Sequence, residues 1–386
     1  MRILFYSHMS ELGNGGVESL MGIVKSLSEI HECCVITPYK GAVNKELTRL
    51  GIQNSALPFK WSSNANNSLK PNLFLKKIEL IKRWFDNLIF NRKHKNKHID
   101  FVTNYRPDVI YSNTSVINIG LKVAVQLNVP HIWHLREFQN TDITPDFGHK
   151  YFAKHLNKSN RVIVNSNLLK NYYKQFIPAN KIDVVYNGIE KPIKNEIFQN
   201  ISDTSKPFTF VIVGALIPVK GHLNLLKAIN KIKEKNKKFQ LHIVGEGRLR
   251  LQIEAYIANH NLEQEVILHG HQSNVGQFYN QAECYIMCSE FETFGRVTVE
   301  AMLCGLPIIG RDAPYNATKE IIRNQTDGWL YTTTEELANK MLWMIENKIA
   351  AHKMGQHAKH WAKENFLLEY CVAQIEELLK TSVKKR

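Results

Sequence analysis

Apolar residues in this chain fall into short unbroken runs. Between the runs lie longer stretches in which apolar residues recur every three or four positions. ILFYS (Ile3–Ser7), CVIT (Cys34–Thr37), VIYS (Val109–Ser112), HIWH (His131–His134) and VIVN (Val162–Asn165) are runs of the first kind. TFVIV (Thr209–Val213), LHIV (Leu241–Val244), VILH (Val266–His269), YIMC (Tyr285–Cys288) and PIIG (Pro307–Gly310) continue the series. Short runs rich in β-branched residues, without polar alternation, suit strands covered on both faces. The stretch after the first run carries Val17, Leu20, Val24 and Leu27, which share one helical face. Strands alternating with such helices predict parallel α/β sheets, here two of them.

A break in composition separates the two. NGIEKPIKNEIFQNISDTSKP (Asn187–Pro207) is polar and interrupted by Pro and Gly, as inter-domain connections are. The reading is a first domain over 1–188, a linker over 189–206 and a second domain over 207–365. A last helical stretch, broken near Asn365-Phe366, would cross back to the first domain over about 366–386. A length of 386 residues is itself more than one ordinary core fills. Both halves open alike, with a strand, a Gly-containing turn and an amphipathic helix. In Rossmann-like sheets ligands bind beyond the carboxyl ends of the strands, and pockets favour the cleft between domains.

Composition narrows the class. With 44% hydrophobic and 22% charged residues the chain folds. The opening MRILFYS is too short for a signal peptide, and no apolar run reaches the ~18 residues of a bilayer span. A cytoplasmic location follows as the expectation, peripheral on the inner face of the cell membrane if another contact holds the chain there. Six cysteines without a CxxC pair read as reduced thiols, and neither a disulfide frame nor a metal site is expected. The formal charge of +15 attracts polyanions: nucleic acid, anionic lipid or phosphorylated metabolites.

Several turns carry candidate chemistry. Gly13-Asn14-Gly15-Gly16 lies between the first strand and its helix. Its glycines either bring backbone amides to an anion at a helix start or serve an ordinary turn that needs positive φ. Gly214 to Gly221 holds the same place in the second half, with Lys220 either on a phosphate or simply solvated. Gly245-Glu246-Gly247 and His269-Gly270-His271 end the next two strands, where their backbone could edge a flat base.

The most informative stretch is SEFETFGRVTVEAMLCGLPIIG (Ser289–Gly310). A helix from about Phe294 or Gly295 to Cys304 places Glu292 in the loop before it and Glu300 in its first two turns. Glu300 then sits among Val297, Val299, Ala301, Met302 and Leu303, and a carboxylate rarely enters such company without a partner. It either points to water or meets a ligand. A ribose diol would satisfy it. Glu292 and the helix-start amides of Phe294, Gly295 and Arg296 would then hold a hexose.

These residues resemble the retaining glycosyltransferases of family 4. The pattern is Glu292 and Glu300 around Phe294-Gly295, followed by Ala301-Met302, Gly305 and Pro307. The Gly-rich first turn, Asn187-Gly188-Ile189, Lys220-Gly221, Asp327-Gly328-Trp329-Leu330 and His134-Leu135-Arg136-Glu137 extend the likeness over essentially the whole chain. The resemblance implies a GT-B architecture: α/β, two Rossmann-like domains with parallel sheets facing across a central cleft. It implies that Glu300 binds the nucleotide ribose and that Glu292 contacts the transferred sugar with the Phe294 and Gly295 amides. Lys220 would bind the diphosphate, with Arg296, Gly214, Gly245 and His271 around the donor. His134 would reach the donor sugar from the first domain, and Gly15 and Gly16 the phosphates or acceptor. Family members often carry an arginine where this chain has Ala215, so phosphate neutralisation falls to Lys220 and to Arg296 or the Gly-rich amides.

The activity implied is transfer of a hexosyl or N-acetylhexosaminyl unit from a nucleotide sugar, UDP by family habit, to a sugar acceptor. No DxD motif occurs, so no metal and no other cofactor is expected. KPNLFLKKIELIKRWFDNLIFNRKHKNK (Lys70–Lys97) has nine Lys or Arg against Glu79 and Asp86, interleaved with apolar residues. It reads as a basic helix pair, packed on the first sheet or lying on an anionic membrane. In the second case the acceptor is an oligosaccharide or lipid-linked sugar of cell-surface polysaccharide assembly. The alternative is a nucleotide-sugar epimerase or a binder on the same fold, or a basic nucleic-acid-binding protein. Nucleic acid is not expected as a partner, since no base-reading motif is recognisable.

Overall fold

The computed structural model describes residues 1–65, 73–139, 143–191 and 206–383. Lys70 to Asn72 of the basic stretch, and 192–205 of the expected linker, lie outside them. The chain forms two compact units, Met1–Gly188 with Leu368–Arg386, and Ile189–Leu367.

The first unit runs β1 (Arg2–Tyr6), α1 (Gly15–Ser28), β2 (Glu32–Thr37), α2 (Ala42–Arg49), β3 (Gln53–Ala56), β4 (Ser63–Ala65), α3 (Leu73–Tyr105) and β5 (Val109–Asn113). It continues α4 (Ile119–Leu127), β6 (His131–Leu135), β7 (Ile143–Pro145), α5 (Gly148–Leu156), β8 (Arg161–Val164), α6 (Asn167–Tyr173) and β9 (Ile182–Val184). Its seven-stranded sheet has the order β3-β2-β1-β5-β6-β8-β9, parallel throughout. Side chains alternate between the faces. Ile3 and Phe5 pack with Val17, Leu20, Val24 and Leu27 of α1. Leu4 and Tyr6 pack on the other side with Val123 of α4 and Val102 of α3.

The second unit runs β10 (Phe208–Val213), α7 (His222–Lys233), β11 (Phe239–Val244), α8 (Arg250–Asn259), β12 (Val266–Leu268), α9 (Gly276–Gln281), β13 (Cys284–Met287), β14 (Phe291–Glu292) and α10 (Arg296–Leu303). Then follow β15 (Ile308–Arg311), β16 (Tyr315–Asn316), α11 (Thr318–Ile321), β17 (Gly328–Tyr331), α12 (Thr334–Glu346) and α13 (Lys348–Asn365). Its sheet order is β12-β11-β10-β13-β15-β17, again parallel. A final helix, α14 (Leu368–Val383), returns to the first unit, where Cys371, Val372, Ile375 and Leu379 join the α1 core.

In each sheet the chain winds outward from the first strand and then resumes on that strand's other side. The reversal falls between β1 and β5 in one unit and between β10 and β13 in the other. Loops leaving adjacent strands in opposite directions open a crevice there.

Two expectations need correction. The basic stretch is not a helix pair: α3 is a single helix of 33 residues. No Pro or Gly occurs between Leu73 and Tyr105 to stop it. The helix holding Glu300 starts at Arg296, because Gly295 takes φ 87° and breaks the helical path one residue later than expected.

Candidate active site

In the second unit, the loops at the reversal between β10 and β13 are stitched by their backbones. Leu216 donates to Glu246 O (2.8 Å), Gly245 to Gly270 O (2.8 Å) and Glu290 to Val219 O (2.8 Å). Two glycines allow the close approach. A Cβ on Gly221, which has φ 74°, would stand 2.3 Å from Cys288 O, and one on Gly245 2.0 Å from Gly214 O. The fold thus uses Gly245 for packing one loop against the next. Gly214 is open, with only the Lys220 stem, at 4.0 Å, near the place of a Cβ.

This stitching sets Lys220 beside Glu292. Lys220 Nζ lies 2.7 Å from Glu292 Oε2, with the side chains 28% and 16% exposed. Glu292 is itself fixed. Its strand β14 pairs with β16, and its carbonyl accepts from Ala317 N (2.8 Å). Asn316 is fully buried, donates to Ser289 O (2.7 Å) and accepts from Thr318 N (2.8 Å), so it ties down the loop before Glu292.

Glu300 is neither buried bare nor turned fully to water. Its side chain is 25% exposed. Tyr279 donates its hydroxyl toward Oε2 (3.3 Å), and Arg296 Nη2 stands 3.8 Å from Oε1. Tyr279 is buried, and burial followed by the Glu300 charge holds its hydroxyl well above the ordinary tyrosine pKa, so it stays a donor. The Phe294 ring is core, 5.7 Å edge-on from Phe366, so its backbone is the part that reaches the α10 start. His271 is exposed in the loop after β12, while His269 packs between His242 (4.9 Å) and Phe278 (4.6 Å).

In the first unit, α1 begins at Gly15 beyond β1. Asn14 caps it by accepting from Gly16 N (2.9 Å), and Glu18 accepts from Gly13 N (2.7 Å). Two of the glycine amides expected to face an anion are therefore engaged within the turn. A Cβ on Gly16 would crowd Asn14 Oδ1 (3.2 Å), His8 Cε1 (3.4 Å) and Thr114 Cγ2 (3.4 Å), so the absence of a side chain keeps that corner open.

His134 stands at the end of β6, fully buried. Its Nδ1 accepts from Tyr111 (2.5 Å) and faces Arg136 Nη2 (3.3 Å). A guanidinium can only donate, so Nδ1 is the acceptor and the ring proton sits on Nε2. Burial and then the Arg136 charge hold its pKa well below the ordinary value, so the ring is neutral. Arg136 donates to Asn113 Oδ1 (2.8 Å) and to Asn187 Oδ1, and Asn113 donates to Gly16 O (2.9 Å). One network therefore joins the Gly-rich turn, the ends of β5 and β6, and the Asn187 turn. His134 Nε2, His8 Nδ1 and Thr114 Oγ1 are buried without a hydrogen-bond partner in the protein. Buried polar atoms are nearly always paired, so these three atoms could meet the hydroxyls or oxygens of a ligand.

Tyr279, Asn316, His8 and the Arg136–Asn113–Asn187 network escaped the sequence reading as site residues. The signal for Arg136 was present in its spacing two residues after His134. Tyr279 lies 21 residues before Glu300 and only the fold brings them together. Among the described residues no three His, Cys, Asp or Glu side chains group as metal ligands.

Comparison with known proteins extends the picture. The model of the Glycosyltransferase Family 4 matches residues 14–191, and that of Glycosyl transferases group 1 matches residues 193–361. An uncharacterized glycosyltransferase of Methanocaldococcus jannaschii is 28% identical over 266 residues, 67% of this chain and 71% of its own. The N-acetylgalactosamine-N,N'-diacetylbacillosaminyl-diphospho-undecaprenol 4-alpha-N-acetylgalactosaminyltransferase of Campylobacter jejuni is 28% identical over 188 residues, 48% of this chain and 49% of that enzyme. Among solved structures, Anabaena HepE in complex with UDP superposes with a TM-score of 0.79 at 21% identity, over 99% of this chain and all of that one.

Proposed function

Because the chain belongs to the group 1 glycosyltransferases and has their GT-B fold, we propose that it moves a hexosyl or N-acetylhexosaminyl unit from a UDP-sugar to a lipid-linked sugar acceptor, with retention at the anomeric carbon and without a metal. The observation that carries this reading is the pair of carboxylates at one strand reversal: Glu292 held on Lys220, and Glu300 held by Tyr279.

In this reading the ribose diol donates to Glu300, and the diphosphate takes Lys220 from Glu292. Glu292 is then released to accept from hydroxyls of the transferred sugar. As the bond from C1 to the diphosphate oxygen breaks, negative charge grows on that oxygen, and a preplaced ammonium and helix-start amides stabilise it. The acceptor oxygen bonds C1 on the face the diphosphate leaves, and its proton passes to the departing phosphate oxygen. Neutral His134, with its proton on Nε2, donates to a hydroxyl of the donor or acceptor. The UDP choice is supported by the nucleotide in the Anabaena neighbour, and the lipid-diphosphate acceptor by the Campylobacter relative. A lipid-linked acceptor would also bring the enzyme to a membrane surface.

The test is release of UDP from a panel of UDP-sugars with and without lipid-linked acceptors, in the presence of EDTA, with the product's anomeric configuration read by NMR. Acceptor-dependent release that survives EDTA and gives a retained linkage is the expected result. Release without acceptor, an inverted product, or loss of activity in EDTA overturns the corresponding part.

A further inference from the structure

The helix α3 carries its apolar residues on two faces, and only one of them is covered. Toward the protein, Asn91 is buried and holds the Lys60 backbone from both ends (2.8 and 2.9 Å). Asn87 donates to Asp146 (3.2 Å), Trp84 packs against Phe147 (5.4 Å) and His98 is buried. On the outward face Ile78, Ile81, Phe85 and Ile89 are 51%, 48%, 52% and 63% exposed. Their spacings of three, four and four residues place them in one stripe, roughly 16 Å long.

The same face continues in a different chemistry. Arg92 and Lys93, three and four residues beyond Ile89, are exposed, as is Lys97 one turn further, and exposed Lys82 flanks the apolar stripe. The acids do not match them. Glu79 is engaged by Arg83 (2.6 Å), which leaves Asp86 within the stripe and Asp100 beyond Lys97 as the exposed carboxylates, against the exposed bases Lys82, Arg92, Lys93 and Lys97.

We propose that this outward face of α3 docks the enzyme on an anionic bilayer, the apolar stripe entering the headgroup boundary and Arg92, Lys93 and Lys97 resting on lipid phosphates. Phe85 meets Phe147 edge-on (6.0 Å) and still stays half exposed; the exposure of the three isoleucines beside it is unexplained by the fold, and their basic continuation selects the occupant. A second copy seated on this face would gather the basic residues of both helices with little acid to meet them. A bilayer rich in anionic lipid meets both chemistries at once, each basic residue near its surface strengthening binding about fivefold. The helix rests on the surface: among the described residues no helix is long and apolar enough to cross a membrane. The proposal deepens the lipid-linked acceptor reading by naming the surface that meets the lipid, but its binding step needs no donor and no acceptor.

The experiment is co-sedimentation of the full chain with phosphatidylglycerol-containing vesicles and with phosphatidylcholine vesicles, without substrates. The variants are Phe85→Ser with Ile89→Ser, and Arg92→Glu with Lys93→Glu, all at exposed positions and checked for an unchanged melting temperature. Tight binding of the wild type to anionic vesicles only, weakened tenfold or more by each double substitution, supports the proposal. Equal binding by the Phe85→Ser, Ile89→Ser variant reduces the contact to general polycation attraction and overturns it. No binding by the wild type overturns it too, as does a wild-type dimer that this variant dissolves, which would assign the face to a second copy. Vesicle binding without acceptor-dependent transfer would instead count against the acceptor reading alone.

Discussion

At the scale of single residues, the carboxylate that looked misplaced in the sequence is explained by what holds it. Glu300 has a phenol on one oxygen and a guanidinium facing the other, with part of its surface still open. Tyr279→Phe removes the phenol without changing shape. It should weaken donor binding by roughly three- to tenfold, the worth of ~1 kcal/mol for one hydrogen bond, with kcat nearly unchanged. A donor titration checks this, and an unaltered Kd would remove Tyr279 from the site. Such a partner is not legible in sequence. Glu292, Glu300 and Lys220 were, because they share two short motifs at strand ends. Tyr279 reaches Glu300 from α9, and His8 and Thr114 meet beside Gly16 only through strand order.

At the scale of elements, the strands buried on both faces were readable as uninterrupted apolar runs. The ones that were not are chemically different. Gln53–Ala56 is a polar edge strand, Ile182–Val184 is short, and Gly328–Tyr331 begins with a glycine. The loops bearing the site are held by backbone contacts that sequence shows only as glycines. Gly221→Ala is the sharpest probe. The residue sits at φ 74° with Cys288 O 2.3 Å from any Cβ, so the turn between Lys220 and α7 must move. A cost of ~1–3 kcal/mol is expected, visible as a lower melting temperature together with reduced transfer. A variant as stable and active as the wild type would show that this turn does not hold Lys220 in place.

At the scale of the whole molecule, the first unit carries an acid liability. Burial holds His8 and His98 down to about 4 and His131 to about 3, with His134 also well below the ordinary value. Each has a folded pKa below its unfolded value near 6.5. Below that pH the unfolded chain therefore binds protons that the folded chain refuses. Their contribution is whole above about pH 6.5 and is lost as pH falls toward 4. Asp146, raised to about 6 by burial, and Glu137, also raised by burial, run the other way and offset part of the histidine contribution. Melting temperature should thus fall between pH 6.5 and 4, and His131→Asn should flatten the slope in that window. A melting temperature constant from pH 7 to 4 would contradict the account.

The most direct test of the central claim is calorimetric titration of UDP-sugars into the wild type and Glu300→Ala. One UDP-sugar should bind the wild type with a Kd between roughly 1 μM and 1 mM, the usual range for enzyme substrates. The variant should bind it about ten- to a hundredfold more weakly, as expected when a charged hydrogen-bond acceptor is lost. Equal affinity of both proteins for every UDP-sugar that binds would contradict the assignment of Glu300 to the donor.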